Sequence, residues 1–359
     1  MAAYTNIDDP SAYFQVKKWT GNAGTNAITL DGNSDMRPDF MWHKEQNDTN
    51  GWHQFDSSRG AAKYLATQST AAEGTYSGYL NSFDSNGFTA GAGDSSMNSS
   101  GTAQCSWMWH CNGGTTSSNT DGSITSTVQV NSDAGFSIVT WAGTASTATI
   151  GHGLGVAPKF MIVRARDKNV PTSWVVFHKD GSTSDDDYFI LQTTAAKATQ
   201  AGLWNNQYPS STVFGVANDF WVNSASTNYI AYCFAEKQGY SKLGKYVGNG
   251  SADGTFVYTG FRPAFVLVKN ASAVESWVLY DTTRNPYNVA DLKISPNTGD
   301  NENGNSGIGG ATYNNIDILS NGFKCRSNNA ATNGSGNTII YMAFAENPFV
   351  AGGIPTTAR

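Results

Sequence analysis

The chain has 359 residues, only 14% of them charged, a formal net charge of −6 and 44 aromatic side chains. With no concentrated basic cluster it lacks the footprint of a nucleic-acid binder, no apolar run approaches the roughly 18 residues that span a bilayer, and so many aromatic rings argue against disorder. Residues 1–10 have neither a positive start nor an apolar stretch, so no secretory signal peptide is expected and synthesis in a cytoplasm is predicted. The short basic groupings, Lys17-Lys18 and Arg164/Arg166/Lys168, read as solvated strand faces.

Taken in chain order, five anchors recur three times. An aromatic residue two positions before a glycine opens each copy (Trp19, Trp141, Tyr246). A Pro-x-Phe strand start follows (Pro38/Phe40, Pro158/Phe160, Pro263/Phe265), then a tryptophan that leads a short strand (Trp52, Trp174, Trp277). A turn with a phenylalanine comes next (Phe88, Phe220, Phe323), and an apolar strand closes the copy (106–109, 229–234, 341–344). Opening aromatic to proline spans 19, 17 and 17 residues, proline to tryptophan 14, 16 and 14, and tryptophan to turn phenylalanine 36, 46 and 46. A repeat unit of roughly 105 to 120 residues is too long for a solenoid or propeller and is a typical domain size.

The chain is therefore read as an N-terminal lead-in (1–12), a first repeat (13–112), a linker (113–135), a second repeat (136–236), a third repeat (240–347) and a C-terminal tail (348–359). Short apolar runs such as 160–166 and 265–269, separated by turns rich in Gly, Asn, Asp and Ser, predict strands throughout. The expected fold is all-β: three tandem homologous antiparallel β-sandwich domains of jelly-roll or lectin-like form, each with its repeated Trp and Phe between two sheets. Only 58–66 and 288–292 read as short helices.

The same repeat disciplines the search for chemistry. His178 stands where the other copies have Asp56 and Asp281, which argues against an essential general base. Residues 151–155 (Gly-His-Gly-Leu-Gly) precede a strand, whereas a phosphate loop needs a helix behind it. Glu236 and Glu346 are repeat-equivalent and follow the closing strand, so a structural pairing is expected and no glycosidase carboxylate pair is found. Cys105, Cys111, Cys233 and Cys325 show no zinc spacing, and six residues of strand put Cys105 and Cys111 about 20 Å apart, so buried reduced thiols are expected. The one dense acidic run, Asp185-Asp186-Asp187, is a candidate calcium site, and no other cofactor is expected. Aromatics shared by all copies read as core, so ligand-binding candidates are those unique to one copy: Trp204, Tyr208, Tyr287 and Tyr313, with the amides Asn205 and Asn206.

The chain resembles a family of marine tailed-phage virion structural, tail-fibre-like proteins. The resemblance is carried by residues 4–14, 37–40, 58–65 with 69–73, 151–159, 260–265, 319–324 and 343–349. It implies a virion component with lectin-like sandwich domains and supplies no catalytic residues. A non-enzymatic protein made in the host cytoplasm is expected, with other virion proteins and host-surface polysaccharide as partners, no nucleic acid, no membrane insertion, and a homo-oligomeric state of which a trimer is one form. A tail-fibre-like host-surface (glycan) binding role is expected, with a capsid or tail decoration role as the alternative.

Overall fold

Each repeated anchor falls in or beside a strand in the computed structural model, which describes residues 5–92, 95–167, 172–302, 315–348, 350–351 and 354–355. The first copy contains β1 (Phe14–Thr20), β2 (Asn26–Thr29), β3 (Phe40–Glu45), β4 (His53–Asp56), the short β5 (Lys63–Tyr64) and β6 (Gly74–Thr75), then β7 (Leu80–Asp84), β8 (Gly87–Ala90) and β9 (Ala103–Trp109). The linker supplies β10 (Ser117–Asn119) and β11 (Ser126–Asn131). The second copy contains β12 (Phe136–Ala142), β13 (Ala148–Gly151), β14 (Phe160–Ala165), β15 (Val175–His178), β16 (Asp187–Ile190), β17 (Ala198–Thr199), β18 (Val213–Val216) and β19 (Asn228–Phe234). The third contains β20 (Ser241–Val247), β21 (Phe256–Tyr258), β22 (Phe261–Asn270), β23 (Val278–Asp281), β24 (Ile316–Leu319), β25 (Gly322–Cys325) and β26 (Thr338–Pro348). The tail adds a short hairpin, β27 (Val350–Ala351) with β28 (Ile354–Pro355).

The chain is all-β, built of several antiparallel sheets. The large sheets repeat one strand order: β1-β9-β3-β4, β12-β19-β14-β15 and β20-β26-β22-β23. The second is extended by β11 and β10 along its β12 edge and by β16 and β17 along the other. Small sheets lie beside them, ordered β2-β8-β7, β13-β18 and β21-β25-β24. The proline of the third Pro-x-Phe anchor, Pro263, sits at a register shift inside the longer β22, where a missing N–H is tolerated.

The long strands read as unbroken apolar runs because both of their faces are buried. In β14, Phe160 and Ile162 join one cluster while Met161, Val163 and Ala165 join another, as alternation along a strand requires. The second kind of cluster belongs to one copy and fills the space between its large and small sheets, as Met161, Phe177, Ile150 and Phe214 do in the second copy. The first kind is common to all three copies and holds Phe40, Phe160 and Phe265 with Trp52, Trp174 and Trp277. Each of those rings therefore lies outside the space between the two sheets of its own copy, where the repeat pattern had placed it. Trp109, Phe234 and Phe344 form a triangle there, with ring centroids 6.1, 5.5 and 5.9 Å apart.

Three indole N–H groups close the copies into a ring. Trp52 Nε1 donates to Ser295 O and Thr298 O at 2.9 and 3.0 Å, Trp174 Nε1 to Ala66 O and Ser69 O at 3.0 and 3.1 Å, and Trp277 Nε1 to Ile190 O at 3.1 Å. The first copy thus reaches the third, the second reaches the first, and the third reaches the second. In every case the tryptophan's own N–H is held by an amide of its own copy, Gln68, Gln192 or Asn297, at 2.9–3.0 Å. Buried indole N–H groups are usually paired, and for these three tryptophans the indole's partner belongs to the neighbouring copy.

Three expectations are corrected. Residues 58–66 and 288–292 form no helix; the α-helices among the described residues are Ser95–Asn98 and Ala330–Asn333. The turn phenylalanine of the second copy is Phe214, which faces Ile150 as Phe88 faces Ile28 and Phe323 faces Val257, while Phe220 is 45% exposed. Arg164 is buried rather than solvated: its guanidinium donates to Thr172 O and Oγ1, and to Thr70 O and Ala71 O of the first copy. Lys168 of that grouping lies outside the described residues.

Candidate ligand-binding site

The sequence candidates disperse. The Trp204 ring is 1% exposed, packs with Phe177 and donates from Nε1 to Asp187 O at 3.1 Å, so it offers no face to a ligand. Asn205 and Asn206 occupy left-handed backbone (φ 59° and 51°) in the turn after it. Tyr208 is half-buried, with the Lys179 ammonium 3.0 Å from its ring centroid, a cation–π contact that already occupies one face. Tyr287 is 83% exposed on the loop after β23. Tyr313 lies outside the described residues.

The acidic run does not converge on a cation. Asp187 is buried and its carboxylate accepts from Lys197 Nζ (2.7 Å), Thr199 Oγ1 (2.5 Å), Thr183 N (2.7 Å) and Ser184 N (3.1 Å). Burial opposes ionisation, but these donors outweigh it and hold the carboxyl well below its usual range. Asp185 accepts from Ser184 Oγ. Among the described residues no group of three His, Cys, Asp or Glu is arranged to hold a metal ion. Within the run, Asp187 staples its loop through these four donors.

Other ionisable groups are likewise committed to the fold. His43 and His53 pair directly across the β3–β4 hairpin, with rings 6.4 Å apart. His152 bridges its turn, receiving Leu154 N on Nδ1 and meeting Ser210 O through Nε2. All four cysteines are buried free thiols, as expected. Glu346 accepts from Arg262 Nε at 2.7 Å, and Glu236 accepts from Lys242 Nζ at 2.7 Å and Lys159 Nζ at 3.1 Å. Burial raises the Glu236 pKa, yet the two lysines win and the carboxyl stays below the ordinary range.

One exposed region combines rings with polar groups. On β21, Val257 points into the core while Phe256 and Tyr258, 44% and 54% exposed, share the outer face. Tyr258 and Thr259 wall a cleft of about 370 Å³, whose other lining residues are Glu236, Gln238, Gly239, Ser241 and Lys242. Gly239 has φ +77°, and a Cβ there would come within 2.7 Å of Thr5, so this turn requires glycine. Ser241 Oγ accepts from Lys237 N and Thr259 Oγ1 donates to Phe261 O, which fixes both hydroxyls. Gln238 is exposed, and Lys242 is half-buried beside it. Sequence reasoning missed Phe256 and Tyr258, although the alternation Phe-Val-Tyr was the available signal.

A family model described as a domain of unknown function (DUF7483) matches residues 9–348. No curated protein and no solved structure matches the chain.

Proposed function

The chain belongs to the DUF7483 family, and we propose that it is a phage virion structural protein, tail-fibre-like, that binds host-surface glycan without chemically altering it. Each copy is read as a small lectin-like sandwich fused to the other two through the shared core. The observation that carries this reading is how the chain distributes its functional groups. The repeat-equivalent carboxylates and imidazoles hold the copies and their loops together, while the exposed outer face of the third copy pairs aromatic rings with amide, hydroxyl and ammonium groups. That division supports a rigid body carrying a binding surface rather than a catalytic centre. No helix among the described residues is long and apolar enough to cross a membrane, and the proposed location is the virion.

The closed ring of indole contacts favours one second reading. A body with three equivalent lobes fits a threefold position of a shell, as a decoration protein with an assembly role. Gold-tagged antibody against this chain, applied to intact virions, separates the two. Gold at the tail tip or fibres is the expected result; gold spread over the head overturns host attachment and leaves decoration.

A further inference from the structure

We infer that the cleft walled by Tyr258 is a subsite for one neutral pyranose unit of a polysaccharide. This inference rests on the glycan reading above and assigns it a place. Its first support is a difference between copies. Aligned on the inward Phe88, Phe214 and Phe323, the positions of Phe256 and Tyr258 are held by Ala27 and Thr29 in the first copy and by Thr149 and Gly151 in the second. The scaffold is thus built twice without these rings, and the third copy carries both on the solvent side of an edge strand.

The second support is the chemistry around Tyr258. A pyranose presents a C–H face that packs on the electron-rich face of an aromatic ring, and hydroxyls that need both donors and acceptors. Next to the Tyr258 ring stand the exposed Gln238, which offers an amide of either polarity, and the Glu236–Lys242 pair, which offers a carboxylate edge and an ammonium. Glu236 is balanced by Lys242 and Lys159, and Lys159 in turn approaches Asp180 at 3.7 Å, so the cluster carries no net charge. That balance favours a neutral sugar over a phosphorylated or carboxylated one. The volume, about 370 Å³, lies at the small end of ligand sites, roughly 300–1,000 Å³. It suits a single ring, with Phe256 two residues along the strand, about 7 Å away, placed to meet the next unit of a chain.

The test uses the full chain and saturation-transfer NMR with the methyl glycosides of glucose, galactose, mannose and N-acetylglucosamine, backed by an array of bacterial surface polysaccharides. The expected result is transfer to at least one glycoside, weakened about tenfold or more by Tyr258→Ala, weakened by Gln238→Ala and retained by Tyr258→Phe. Phe220→Ala, on an exposed turn of the second copy, is expected to bind like the parent, and circular dichroism confirms that each variant is folded. A glycoside that binds Tyr258→Ala as well as the parent overturns this subsite while leaving the glycan reading intact. If neither glycosides nor arrayed polysaccharides bind, the glycan reading falls and the subsite falls with it.

Discussion

The Tyr232 hydroxyl donates a 2.7 Å hydrogen bond to Asp56 Oδ2, from the closing strand of the second copy to the Trp strand of the first. Trp107 Nε1 does the same to Asp281 Oδ2 at 3.0 Å, from the first copy to the third. Both carboxylates also hold an arginine three residues on, Arg59 and Arg284, whose side chains are fully buried. At the third boundary the equivalent closing-strand position is Met342, whose side chain has no hydrogen to donate, and the Asp position is His178, which meets the backbone O of Tyr341 through Nε2 at 3.2 Å. His178 Nδ1 receives Gly181 N at 3.1 Å, just as Asp56 Oδ1 and Asp281 Oδ1 receive Arg59 N and Arg284 N. A Cβ at Gly181 would come within 2.5 Å of Ile340 Cγ2, so no arginine fits. Donor, acid and base have been exchanged together.

This co-substitution makes the acid position intolerant in one copy only. His178→Asp places a carboxylate in a buried site with neither the arginine nor the donor that its counterparts enjoy. A buried charge without its partner costs on the order of 3–5 kcal/mol. Urea denaturation at pH 7 is expected to show that loss, and adding Met342→Tyr, which restores the donor, is expected to recover part of it.

His178 also sets an acid sensitivity. Burial pushes its pKa down to about 4 from 6.5, and burial likewise lowers those of His43 and His152. A folded state that binds fewer protons than the unfolded chain loses stability as pH falls. The His178 contribution is intact above pH 6.5 and is lost progressively toward pH 4, at no more than about 1.4 kcal/mol per pH unit. Denaturation midpoints measured across that window are expected to fall with pH, and the slope is expected to be shallower in His178→Asn. The asparagine keeps an acceptor for Gly181 N and does not titrate.

Because the core is shared, the copies are expected to unfold together. Residues 136–236 contribute Phe136, Ile138, Phe160, Ile162, Trp174, Val176, Phe189, Leu191, Ile230, Tyr232 and Phe234 to the common cluster. Exposing side chains of this kind costs roughly 1.5–3 kcal/mol each, which together exceeds the 5–15 kcal/mol by which domains are typically stable. The isolated segment is therefore expected to show no cooperative transition, and calorimetry of the whole chain to show one. Three resolved transitions would sink the idea.

The strand plan was readable in the sequence because the anchors mark strand starts and ends wherever the fold repeats. The sharing of the core was not, since an inward-facing ring reads the same whether it packs against its own copy or a neighbour. Trp204 shows a second limit. A ring unique to one copy either fills a gap peculiar to that copy or faces a ligand, and only burial separates the two. Trp204 fills a gap between the sheets of its copy, whereas Phe256 and Tyr258 face outward beside a residue, Val257, that faces in. The phenylalanine after Asn218-Asp219 imitated the turn signature of Phe88 and Phe323, and cross-strand pairing alone identifies Phe214 as the true counterpart.

Thr140, Lys18 and Lys245 hold the same register position on the first strands of the three large sheets, opposite Ile230, Cys105 and Ile340. Thr140 lies under β11, which pairs it with Thr127. β1 and β20 end their sheets, and there the residue is an exposed lysine. Lysine on an edge strand opposes pairing with another chain, because a second strand would have to desolvate or crowd its charge. Among the described residues, the charge is absent where a further strand pairs with the edge and present where none does. Lys18→Val with Lys245→Val is expected to leave the fold intact and to promote self-association that grows with protein concentration, read by sedimentation velocity. The single variant Thr140→Lys is expected instead to destabilise the chain by up to about 1 kcal/mol, since its β-propensity is poorer and its neighbour on β11 is already in place.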